Sequence, residues 1–149
     1  MERINHKLNV MLQALTTLAK SIALFDKYSE LFNITPNNDN EELFLSTRDS
    51  MIQRFECCTD LFWKIIRIYL EDVQKADLPI NAPRAILREA VNARLLSEQE
   101  GDACIDMVES KNKTSHIYHV EVAQNIAHMV PEFYTLMKLI IDRIQKNLI

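Results

Sequence analysis

Nine consecutive residues, Lys111-Asn112-Lys113-Thr114-Ser115-His116-Ile117-Tyr118-His119, hold most of the chemistry in this chain. A cation, an amide, two hydroxyls, an imidazole and a phenol stand together there. Histidine moves protons near neutral pH, and a neighbouring cation can hold a phosphate. Lys111, Lys113, Ser115 and His116 are therefore the candidate binding residues. By pattern alone the stretch reads first as a polar helix end followed by a loop. Lysine favours a helix C-terminus, and loop histidines are commonly just solvated. A metal site is the other chemistry to weigh, with His116 and His119 joined by Cys57, Cys58 and Cys104. No paired-cysteine or His-Glu-x-x-His ligand pattern accompanies them, so buried thiols and loop histidines are expected, with no metal and no cofactor.

The elements that must position this segment read as helices. Leu8, Met11, Leu15, Leu18, Ile22 and Phe25 fall at alternating steps of three and four, one stripe of a helix ending near Tyr28 to Phe32. Asn33 to Asp39 reads as a loop. Asp39 with Glu42 resembles a capping box, which predicts a helix start there. The second stripe runs Phe44, Ile52, Phe55, Thr59, Phe62, Ile66, Tyr69 and Val73, with Glu56, Asp60 and Lys64 on the other side. Phe44, Phe55, Phe62 and Tyr69 are candidates for the core or a pairing face. Pro83 suits the first turn of a short helix to about Arg94, and Ser97 with Glu100 caps a fourth to about Lys111. Residues 112–118 show no period. Ala123, Ile126, Val130, Met137, Ile141, Ile144 and Leu148 mark a last helix, which Pro131 should kink or begin. The expectation is an all-α, up-and-down bundle of four or five helices, a single domain over residues 1–149.

Composition agrees. The chain has one glycine in 149 residues, too few for the turns of sheets or for phosphate loops. Its apolar fraction of 48% is ordinary. The net charge is -4 and no cluster of lysines and arginines stands out, which disfavours a stand-alone nucleic-acid binder. Three cysteines, two of them adjacent, do not make a disulfide framework; reduced thiols point to the cytoplasm. The N-terminus is too polar for a signal peptide, and apolar runs such as residues 61–63 are too short for a membrane span.

The chain resembles the HEPN superfamily, specifically the branch of nucleotidyltransferase substrate-binding proteins. The family signature is an arginine, a polar residue and, a few residues on, a histidine; Lys111, Asn112 and His116 stand at those places, and Tyr118 completes a His-x-Tyr ending. Residues 48–56 (Arg-Asp-Ser-Met-Ile-Gln-Arg-Phe-Glu) with Leu61-Phe62-Trp63-Lys64 resemble the branch's helix-two block. Ala82-Pro83-Arg84, Glu89-Ala90 and Met107 extend the likeness. Lys111 departs from the signature arginine and Cys104 from a tryptophan. The resemblance implies a homodimer with signature segments facing across a groove, and a minimal nucleotidyltransferase as partner. Its alternative implication is a metal-independent ribonuclease, the toxin of a toxin–antitoxin pair, with nucleotide or RNA as the partner. There His116 would move the proton, Lys111 would hold the phosphate and Asn112 would assist. In related HEPN toxins the tyrosine of this ending is where a partner transferase attaches nucleotide, and Tyr118 matches it by position.

Overall fold

In the computed structural model, which describes residues 1–149, the chain forms five α-helices and one short 3-10 turn. They are α1 (Glu2–Ile34), α2 (Asn38–Asp72), α3 (Pro83–Asn92), α4 (Glu98–Asn112) and α5 (Val120–Asn147), with the 3-10 turn at Thr114–His116. No strand is present. The all-α bundle read from the sequence is the fold observed, with three long helices.

α1 and α2 pair antiparallel along their full lengths. Arg3 at the start of α1 binds Asp72 at the end of α2 at 2.8 Å, and Phe25 stacks on Phe44 at 5.3 Å at the other end. α5 runs parallel to α2: Phe55 stacks on Phe133 at 5.6 Å, and Asn147 donates to the Tyr69 hydroxyl at 3.2 Å, the same offset along both helices. α4 runs back against α5, Glu100 meeting Arg143. This is up-down-up-down order, with α3 carried on the connection from α2 to α4. One cluster of 33 buried apolar residues fills the bundle. Phe55, Phe62 and Tyr69 belong to it, so these three serve the core of one chain. Phe44 is half-buried between Phe25 and Phe32.

The helix ends correct several expectations. α1 continues to Ile34, past the predicted end. The Asp39–Glu42 capping box does not form; Asn37 caps α2 instead, its Oδ1 accepting from the Asn40 backbone N–H at 2.8 Å. Asparagine is as good an N-cap as aspartate, and starting earlier places Asp39 and Glu41 in the first turn, where the helix dipole favours acids. The Ser97–Glu100 box does form, with both reciprocal bonds present. Pro131 lies inside α5 and does not begin it. α1 is long and apolar enough to cross a membrane by length and composition, which short runs such as residues 61–63 did not reveal. Its burial is one-sided: Ile4, Leu8, Met11, Leu15 and Leu18 face the core, while Asn9, Gln13, Thr16, Thr17 and Lys20 are exposed.

Candidate functional site

Lys111 and Asn112 occupy the last turn of α4, and Lys113 caps it with its backbone N–H on the Ser110 carbonyl. The chain then tightens. Thr114 is buried, and its hydroxyl donates to the Lys111 carbonyl at 2.7 Å, satisfying one of the carbonyls that a helix end leaves free. The His116 N–H binds the Lys113 carbonyl at 3.0 Å, and the Ile117 N–H binds the Thr114 carbonyl at 3.3 Å. Ile117 packs on the core, so the turn is anchored at Thr114 and Ile117. The residues between and after them project outward. The period that residues 112–118 lack in sequence is the consequence of a 3-10 turn followed by a reversal into α5.

Lys113, Ser115, His116, Tyr118 and His119 are all exposed, as is Asn112; Lys111 is half-buried. Tyr118 keeps 73% of its surface in solvent. Its ring centre lies 6.1 Å from that of His116, edge-on, and 4.4 Å from that of His119. The two imidazoles and the phenol therefore form one outward patch. The proposed functional trio is less tightly joined. The one side-chain hydrogen bond within the segment is that of Thr114, so Lys111, Asn112 and His116 share a turn without a bond among them.

Lys111 extends toward α2. The Asp60 carboxyl is held below the usual carboxylate range, first by its hydrogen bond from Lys64 at 2.8 Å, with Trp63 and Lys111 adding to the effect. The acid–base pair read as a solvated face thus shares its field with the signature lysine. Arg48 is a residue whose burial the sequence reading missed. It is only 6% exposed, although arginine is rarely buried. The signal was available, because Arg48 stands four residues from both Phe44 and Ile52 and so falls on the apolar stripe.

The thiols divide. Cys58 and Cys104 are buried, and burial pushes each up to about 12, which keeps them protonated and inert. Cys57 is exposed, contrary to the expectation that all three would be packed, because it sits one position around the helix from Cys58. No three His, Cys, Asp or Glu side chains come together as a metal site would need.

Residues 12–146 match the family described as nucleotidyltransferase substrate binding protein like. The chain belongs to that family. Its fold is similar to a Thermus thermophilus protein at TM-score 0.72 and 26% identity, covering 90% of this chain and 98% of that one. It is also similar to a Haemophilus influenzae protein at TM-score 0.77 and 22% identity, over 93% and 98% of the two chains. The latter was described as having the fold of a substrate-binding domain of a nucleotidyltransferase. None of the curated protein sequences compared with it matches. As a nucleotidyltransferase substrate-binding family member, the chain has its matched region running from the third turn of α1 to the last turn of α5. The match therefore includes both the α2 block and the segment at Lys111–His119.

Proposed function

We propose that this chain is the substrate-binding partner subunit of a minimal nucleotidyltransferase, working in the cytoplasm as a homodimer whose exposed Lys111–His119 segment meets the transferase. The family match across residues 12–146 carries this reading. The geometry supports it: a turn anchored from below by Thr114 and Ile117 presents His116, Tyr118 and His119 outward, with apolar Val120 beside them at 62% exposure. An exposed phenol and aliphatic side chain next to polar groups suit a protein contact. Tyrosine at 73% exposure is also open to modification. In this reading Lys111, Lys113, Ser115 and His116 form the binding surface, and Tyr118 accepts nucleotide from the transferase. The phenol oxygen attacks the α-phosphorus of a nucleoside triphosphate, pyrophosphate leaves, and the phenolic proton passes to solvent or base. The bound nucleotide then places negative charge over the two lysines. Free thiols at all three cysteines accord with a reducing compartment.

Co-expression with the neighbouring transferase, co-purification and intact mass of both chains test the whole. The expected result is a stable complex and one or more nucleotide masses on the wild-type chain, with none on Tyr118→Phe. An active transferase that neither co-purifies with the chain nor changes its mass defeats the proposal.

A further inference from the structure

Arg48 carries chemistry that the α2 block does not otherwise explain. Its Nε and Nη2 both lie 3.0 Å from Asp49 Oδ1, and Asp49 itself stands half in solvent. The third nitrogen, Nη1, is buried and has no hydrogen-bond partner. A charged donor left unmade in the interior is costly, and native structures rarely retain one without a use. Guanidinium also presents its donors in a planar fork suited to carboxylate and phosphate oxygens.

Arg48 lines a pocket of about 240 Å³ between α1, α2 and α5. Phe25 and Phe44, stacked on each other, form its apolar wall, and Ser29, Gln124 and His128 bring hydroxyl, amide and imidazole groups to it. None of the residues lining it is acidic, in a chain whose net charge is -4. A buried arginine with a free donor, polar groups at the rim and an aromatic wall is the composition of a small-ligand site for an anion. The pocket also neighbours the signature segment. Gln124 stands five residues past His119, about 7.5 Å along α5 at the rise of a helix.

We propose that this pocket binds the oxyanion of a small molecule, phosphate or carboxylate, at the Arg48 guanidinium, with the attached organic group lying against Phe25 and Phe44. The inference rests on the substrate-binding reading for its biological meaning, since the anion would belong to the substrate that the subunit holds for its transferase. The binding itself needs no transferase. That separates failure of the pocket from failure of the partnership.

The test uses the full chain alone. Inorganic phosphate and acetate are titrated separately by calorimetry and by thermal shift, with sodium chloride at matched ionic strength as the reference. Phosphate or acetate should raise the melting temperature saturably where chloride does not, and the stronger of the two identifies the group recognised. Arg48→Gln should abolish the response. Because Arg48 is buried, Gln124→Trp is the companion variant: position 124 is exposed, so the fold tolerates the ring, which fills the mouth and should weaken binding at least tenfold. Equal responses to phosphate, acetate and chloride overturn the proposal. So does anion binding that is unchanged in Arg48→Gln and Gln124→Trp. A wild-type chain that captures its transferase but shows no anion response would remove the pocket alone.

Discussion

Lys111 stands where the related signature has arginine, and the difference is one of geometry more than charge. A guanidinium grips a phosphate with two parallel bonds, whereas an ammonium offers a point charge. The structure adds that Lys111 already shares the field of Asp60 on α2 and makes no bond to His116. Cleavage of RNA in chelator should therefore be weak or absent in the wild type and should rise in Lys111→Arg, while His116→Ala in the same background removes it. Product analysis for cyclic-phosphate ends reads this directly, and equal cleavage by all three proteins would expose a contaminant. Two other residues hold a backbone conformation that nature usually gives to glycine. Lys75 and Arg94 sit at φ 58° and 63°, just past the ends of α2 and α3. There the Ala76 N–H reaches the Leu70 carbonyl and the Leu95 N–H the Ala90 carbonyl. Both are left-handed helix stops, and a side chain in that region is strained. Lys75→Gly and Arg94→Gly should each stabilise the chain by about 0.5–1 kcal/mol in urea unfolding. The chain's single glycine prevented a reading of these stops from sequence, because the residue that usually marks them is absent.

That one glycine sits inside α4, where helix propensity opposes it, so packing must explain it. A Cβ at Gly101 would fall within the envelope of Val91 Cγ2 on α3. Valine is stiff at χ1 and cannot swing away cheaply. Gly101→Ala gains about 1 kcal/mol of helix propensity but meets an overpacking cost of about 1–3 kcal/mol. A net loss of about 1 kcal/mol is expected in urea unfolding, and Gly101→Ala with Val91→Ala should recover it. Glu100, the next residue back, was legible only in part. Its capping box with Ser97 is a local pattern, visible within four residues. Its second role is not, because Arg143 lies 43 positions away and only the fold brings it to 2.8 and 2.9 Å, where it also binds the Leu95 carbonyl. The same limit explains the rest: helix stripes and Ser97 were readable as local periodicity, whereas the Asn37 cap competed with an equally plausible Asp39. Arg143, followed by the Ser97 backbone, holds the Glu100 carboxyl well below its ordinary value, at about 2. A depressed carboxylate contributes stability that is fully present above its unfolded value near 4.5 and is lost as pH falls toward 2. Because the pair is partly exposed, its worth is about 1 kcal/mol after screening. Between pH 4.5 and 2 the wild type should lose more stability than Glu100→Gln, a difference that chemical unfolding at several pH values measures; parallel curves would remove the pair from the account.

For the whole molecule, the bundle hides 33 apolar residues in one core and still leaves large ones outside. Tyr118 is 73% exposed and Val120 62%, adjacent to the signature, while Leu24, Leu31, Ile34 and Leu43 are exposed around the turn that joins α1 to α2. Single exposed apolar residues are ordinary, but grouped ones mark contact surfaces. The sequence suggested that the aromatics of α2 would serve either the core or pairing; the fold assigns Phe55, Phe62 and Tyr69 to the core, so the proposed homodimer has to pair through other residues. Val120 is the best placed, because a two-fold interface beside the signature would set two signature segments across a groove, as the family resemblance implies, and leave Tyr118 open to the transferase. Light scattering at micromolar concentration should give twice the 17.4 kDa chain mass. Val120→Asp should shift it toward monomer with the helical signal unchanged, since its side chain is not in the core. The control is Leu31→Asp at the α1 end, which should leave the dimer intact. A monomer mass in the wild type across that range defeats the homodimer; dissociation by Leu31→Asp and not by Val120→Asp moves the interface to the other end of the bundle.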